Sequence, residues 1–116
     1  MIDYTQLDPE TLEFVEIAPL ADLPVGERLF IEVSGRPIVI LNLAGKLFAI
    51  GDVCSHDNGP VGDGEMEGDE IICPRHGARF DIRSGKVTSL PAIFDIPAYP
   101  VRVVNGFIEL GIPRLT

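Results

Sequence analysis

The chain contains two cysteines and two histidines, and all four fall into two short motifs, Cys54-Ser55-His56 and Cys73-Pro74-Arg75-His76. Sixteen residues separate His56 from Cys73. Both motifs lie in a segment from Gly51 to about Pro91 that is rich in Gly, Pro, Asp and Glu. Glycines stand there at 51, 59, 62, 64, 68, 77 and 85. Glycine loses more backbone freedom on folding than any other residue, so ordering this segment is costly. A compact chain holds such a stretch in place only if something pins it. The clustering of four metal-capable side chains names the first candidate, a metal centre.

The flanking regions read as short strands separated by turn residues. Phe14, Val15 and Ile17 mark one; Leu29, Phe30, Ile31 and Val33 a second. Ser34-Gly35 leads into Ile38-Val39-Ile40-Leu41, and Ala44-Gly45 into Leu47-Phe48-Ala49-Ile50. Val101–Val104 and Phe107–Leu110 flank Asn105-Gly106. That dipeptide suits a two-residue hairpin, in which both turn positions need positive φ. β-Branched and aromatic residues at this spacing predict an all-β sandwich or barrel. Asp8-Pro9-Glu10-Thr11 reads as a single helical turn, with Asp as cap and Pro in the first turn. Residues 1–11 are polar and are expected to form a loose arm. The 116 residues fit one domain over 1–116, with a modest core drawn from a 46% hydrophobic composition. Phe80, Phe94 and Phe107 are expected in that core.

Several chemistries fit two cysteines and two histidines. A disulfide is the default for a cysteine pair, though uncommon in a reducing cytosol. Buried thiols beside ordinary surface histidines are another reading. Four such donors also suit tetrahedral Zn²⁺. Zinc fingers, however, usually keep Cys with Cys and His with His, at least two residues apart. Here each motif supplies one of each, and a single residue separates Cys54 from His56. The remaining reading is a two-iron centre in which two histidines replace two cysteines on one iron.

Cys-x-His followed by Cys-x-x-His closely resembles the signature of the Rieske family. Cys73-Pro74-Arg75-His76-Gly77-Ala78-Arg79-Phe80-Asp81 is similar to that family's second cluster-binding loop. Ser84-Gly85-Lys86-Val87 resembles the turn that follows it, and Pro91-Ala92 the proline-bearing loop over the cluster. Leu23-Pro24-Val25-Gly26 and Tyr99-Pro100-Val101 match the framework. The resemblance implies an all-β Rieske iron–sulfur fold: an antiparallel β-sandwich base, with residues 51–91 inserted as a cluster-binding subdomain. It implies one [2Fe–2S] cluster held by Cys54, His56, Cys73 and His76, with the cysteines on the buried iron and the histidines on the outer one. The function implied is a soluble one-electron carrier and not an enzyme. It would pass electrons from a flavoprotein ferredoxin reductase to a terminal oxygenase, as the ferredoxin component of bacterial ring-hydroxylating dioxygenase systems does. Alternatives are a companion of a nitrite reductase or of an iron–sulfur assembly system, or a zinc-stabilised interaction module.

Two thiolates and two neutral imidazoles bring less negative charge than four thiolates, which favours the reduced state. Members of the family raise the potential further with a disulfide between the loops, or with Ser and Tyr hydroxyls donating to cluster sulfur. Arg75 stands where disulfide-bearing members carry cysteine, and Ala78 and Phe80 where the hydroxyls are expected. The resemblance therefore implies a potential near the low end of the Rieske range, about −150 mV. Asp57 either lowers it further or acts as a screened loop carboxylate.

The balance of 18 acidic against 9 basic residues gives a net charge of −9. This opposes binding to a phosphate backbone or an anionic membrane. It suits encounter with a basic protein surface, or serves solubility alone. No apolar run reaches membrane-span length, and residues 1–5 lack the features of a signal peptide. A cytoplasmic monomer that meets its partners transiently is expected.

Overall fold

The computed structural model describes residues 3–114. Among the described residues, eleven strands form three antiparallel sheets. The first sheet joins β1 (Leu12–Pro19), β11 (Phe107–Pro113) and β10 (Val101–Val104) in that order. The second has the order β2 (Arg28–Val33), β3 (Arg36–Leu43), β4 (Lys46–Gly51) and β9 (Ala98–Tyr99). The third has the order β5 (Met66–Glu67), β6 (Glu70–Ile72), β7 (Arg79–Asp81) and β8 (Val87–Ser89). Both ends of the chain thus build the base, and the glycine-rich middle supplies the third sheet and its loops.

The hairpin turns form where the sequence places them. Ser34-Gly35, Ala44-Gly45 and Asn105-Gly106 each hold two residues at positive φ, from 51° to 96°. This turn geometry matches the right-handed twist of the strands it joins. The acid-capped turn at Pro9–Thr11 is a short 3-10 segment, with Asp8 accepting from the Glu10 N–H at 3.0 Å.

Within the second sheet β3 is buried on both faces, which explains its unbroken apolar run. Strand side chains alternate between faces. Ile38 and Ile40 face a core shared with Ile108, Leu110 and Ile112 of the first sheet. Val39 and Leu41 face a separate core shared with Cys54, Cys73, Ile71 and Phe80. The pattern repeats in β4 with Ala49 and Ile50, and in β9 with Tyr99 and Ala98. Each fully buried Ile, Leu or Val contributes about 1.5–3 kcal/mol of transfer free energy. The middle sheet is therefore a wall common to the base and to the loops bearing the cysteines.

Two expectations meet particular contacts in the structure. Of the loose arm expected over residues 1–11, residues 1 and 2 lie outside the described residues, and Asp3 and Tyr4 are tied to the base. Asp3 bridges Ala98, and the Tyr4 ring stacks on Tyr99 at 5.2 Å between centroids. The apolar face of one tyrosine covers the other, an attraction that polar composition does not reveal. Of the three phenylalanines expected inside, only Phe80 is buried; Phe94 and Phe107 are exposed. Among the described residues no helix is long and apolar enough to cross a membrane.

Gly64 fixes the spacing between the two motif-bearing segments. A Cβ there would lie 1.9 Å from the carbonyl oxygen of Ile72, the residue before Cys73. The chain can relieve that overlap only by moving backbone. Gly64→Ala should therefore lower unfolding stability by about 3 kcal/mol or more. Urea titration of the purified variant measures this, and a change under about 1 kcal/mol would show that the segments part without cost.

Candidate metal centre

The two motifs occupy turns built on one hydrogen-bond plan. The Cys54 N–H donates to the Gly59 carbonyl at 2.7 Å, and the Cys54 carbonyl accepts from the Asn58 N–H at 2.7 Å. In the second turn, the Cys73 N–H donates to the Ala78 carbonyl at 2.7 Å, and the Cys73 carbonyl accepts from the Gly77 N–H at 3.0 Å. In each, the carbonyl five residues on and the amide four residues on close around the cysteine. The residue four on adopts positive φ, 63° at Asn58 and 77° at Gly77. Asn and Gly are the residues that tolerate this conformation best.

The shared plan explains the unequal motif spacing. Counted from its cysteine, the first turn carries His56 and Asp57 at its third and fourth positions. The second carries Arg75 and His76 at the same positions. The histidines thus occupy exchanged places in two like turns. Their rings meet edge to face, with centroids 5.1 Å apart and an interplanar angle of 84°. The remaining pair also meets: Arg75 Nε donates to Asp57 Oδ2 at 2.6 Å, and Nη2 to Oδ1 at 2.9 Å.

Depth separates the four predicted residues into two pairs. Cys54 and Cys73 are 0% and 1% exposed, within the core of the middle sheet. Both are free thiols, so the disulfide reading fails. His56 and His76 lie at the surface, with the His76 side chain 52% exposed. The two Sγ atoms and one Asp57 carboxylate oxygen lie within 4.8 Å of one another, and neither histidine belongs to that set. A lone tetrahedral ion draws four donors to one point. Two sulfurs together below and two imidazoles together above fit a binuclear unit with unlike ends.

Burial pushes the Cys54 thiol above its ordinary pKa, and the adjacent Cys73 adds to the rise, against lowering by the His56 and Asp57 amides. Positive charge bound there is what would favour the thiolate. The Arg75 guanidinium holds the Asp57 carboxyl well below the usual carboxylate range, with further help from the Gly59 N–H. Asp57 is thus a paired carboxylate, and its charge near His76, 3.8 Å away, is offset by Arg75.

Supports outside the motifs hold the first turn. Asp52 Oδ1 accepts from the amides of Val61 at 3.0 Å and Gly62 at 2.6 Å. Arg28 Nη1 donates to the carbonyls of Gly62 and Gly64, both at 2.6 Å. The Ser55 hydroxyl donates to the Phe94 carbonyl. That bond ties the first turn to a loop whose Leu90, Ile93 and Phe94 side chains are 72%, 67% and 63% exposed, while Ala92 is buried. The Leu90–Pro91 peptide in this loop is cis. Ala78 and Phe80 pack in the core beside the cysteines and offer no hydroxyl. Sequence reasoning missed Asp52, Arg28 and the Asp57–Arg75 pair. The one available signal was the mirrored placement of an acid directly after His56 and a base directly before His76.

Comparison with known proteins agrees with this geometry. The family model described as "Rieske [2Fe-2S] domain" matches residues 13–100. The chain is 36% identical over 100 residues to the ferredoxin component of the naphthalene 1,2-dioxygenase/salicylate 5-hydroxylase systems of Ralstonia sp, covering 86% of this chain and 96% of that one. It is 41% identical over 98 residues to the 3-phenylpropionate/cinnamic acid dioxygenase ferredoxin subunit of Escherichia coli (strain K12), covering 83% and 91%. Among solved structures, the ferredoxin of carbazole 1,9a-dioxygenase from Nocardioides aromaticivorans IC177 superposes with a TM-score of 0.78 at 32% identity, covering 87% of this chain and 98% of that one. Two like turns that bury a pair of thiols beneath a pair of exposed imidazoles, in a chain matched over most of its length, place this protein in the Rieske [2Fe–2S] family.

Proposed function

We propose that the chain is a soluble, cytoplasmic one-electron carrier that takes electrons from a flavoprotein reductase and passes them to a terminal oxygenase of the ring-hydroxylating dioxygenase type. Cys54, His56, Cys73 and His76 hold its single [2Fe–2S] cluster, and residues 51–91 form the cluster-binding part of one domain. When bound, the cluster supplies a centre that gains or loses one electron. The chain's own residues do the rest. The cysteines anchor the inner end in the core and keep water from it. The histidines bring the outer end to the surface, where a partner can approach.

The observation that carries this reading is the segregation of donors by depth: buried thiols, exposed imidazoles. The loop bonded to Ser55, next to His56 in the chain, exposes the apolar side chains of Leu90, Ile93 and Phe94. The acids of the third sheet are engaged elsewhere: Arg79 pairs with Glu67 and Glu70, and Arg83 with Asp69 and Asp81. Long-range attraction from the net negative charge and close contact through apolar side chains are therefore separate contributions to docking. Small transient contacts of this kind suit a monomer.

Purified anaerobically, the protein should be red-brown and contain iron and acid-labile sulfide in equal amounts. Its reduced form should give an EPR signal with average g near ~1.9, the pattern of mixed Cys/His ligation. Cys54→Ser and His76→Ala should each abolish that signal. Its persistence in either variant would remove that residue from the ligand set.

Ala78→Ser combined with Phe80→Tyr should raise the midpoint potential. A donor that strengthens by ~1 kcal/mol on reduction shifts a one-electron couple by about 40 mV, since 59 mV corresponds to 1.4 kcal/mol. Protein-film voltammetry reads the shift. An unchanged or lower potential in a fully loaded variant would refute the role of the missing hydroxyls.

A further inference from the structure

We propose that Arg75 and Asp57 form an ionic latch across the two turns, and that this latch, with Gly59 as its seat, holds the histidine-bearing ends together and so retains the cluster. The proposal rests on the electron-carrier reading above. It assigns positioning residues, which act through the histidines beside them.

All three nitrogens of the Arg75 guanidinium are committed to the first turn. Nε and Nη2 donate to the two carboxylate oxygens of Asp57, at 2.6 and 2.9 Å. Nη1 donates to the Pro60 carbonyl at 2.8 Å. A planar fork makes this arrangement, and a lysine ammonium does not. Bidentate, charge-assisted bonds are shorter and about twice as strong as neutral ones. The guanidinium lies against Gly59, where a Cβ would stand 2.7 Å from Cζ and Nη2 and 3.0 Å from Nε. Any side chain at 59 displaces the fork. The Gly59 N–H also donates to Asp57 Oδ1 at 3.0 Å and orients the acceptor.

Position gives the contact its purpose. The cysteine ends of the two turns are locked in the core, whereas the histidine ends are exposed. Asp57 directly follows His56, and Arg75 directly precedes His76. The latch therefore closes the outer end, where apolar packing is thinnest. Because the pair is neutral in sum, it ties the turns without adding net charge beside the cluster.

The test compares loaded wild type with Arg75→Gln, Asp57→Asn, their double variant, Arg75→Lys and Gly59→Ala. Iron release to an anaerobic chelator is followed by loss of visible absorbance, and the midpoint potential is measured in parallel. Arg75→Gln, Asp57→Asn and Gly59→Ala should each release iron faster, on the order of tenfold. The double variant should release no faster than either single one, because both remove the same contact. Arg75→Lys should restore retention only in part. The potentials should diverge: downward in Arg75→Gln, which leaves an unpaired carboxylate, and upward in Asp57→Asn, which leaves an unpaired cation. Wild-type release rates in Arg75→Gln and Gly59→Ala, or a double variant losing the sum of two independent increments, would overturn the latch. A wild type without iron and acid-labile sulfide would instead overturn the electron-carrier reading. The two failures are thus told apart in one experiment.

Discussion

Cys54 and Cys73 can lie side by side without solvent because the inner strands of the sheet behind them are covered on both faces. Its strands β3, β4 and β9 send alternate side chains to two different cores. One core closes the base; the other receives the thiols. A half-exposed sheet would have left the cysteine turns resting on water, with little apolar burial to hold their glycine-rich backbone. The base and the redox site are therefore coupled through one wall, and changes in β3 are felt by both.

On that wall the chain builds the same turn twice. Five-residue and four-residue closures around each cysteine repeat to within a few tenths of an ångström. The turns differ in which position bears histidine, third in one and fourth in the other. This exchange is what lets two rings meet at the surface above two thiols. It also leaves one position in each turn free for a second pair, occupied here by Asp57 and Arg75. The histidine pair and the ion pair are thus products of one backbone geometry used in two orders.

Polarity around the site follows from the same arrangement. Small or apolar residues, Ala78 and Phe80, fill the inner side, where a hydroxyl would have stabilised the reduced cluster. The Ser55 hydroxyl, next to Cys54 in sequence, is engaged by the Phe94 carbonyl instead. On the outer side, the neutral Asp57–Arg75 pair borders the histidines, and the loop bonded to Ser55 exposes Leu90, Ile93 and Phe94. Exposed imidazoles and this apolar loop thus stand out on a chain that is strongly acidic as a whole.

Much of this was legible in the residues alone. Asn105-Gly106 and the alternating runs marked the hairpins, because positive φ and pleated burial constrain residue type locally. The grouping of all cysteines and histidines in two motifs marked the candidate site, because metal ligation demands those side chains wherever they lie. The tertiary structure decided what depends on contacts distant along the chain. Phe94 and Phe107 are as apolar as Phe80, yet only Phe80 faces a core. Tyr4 belongs to a polar segment, yet Tyr99 receives its ring. Asp57 read as an isolated loop carboxylate until folding brought Arg75, eighteen residues away, against it. Residue type sets which chemistry a chain can perform; the packing of distant segments sets which of its groups are buried, paired or left to meet a partner.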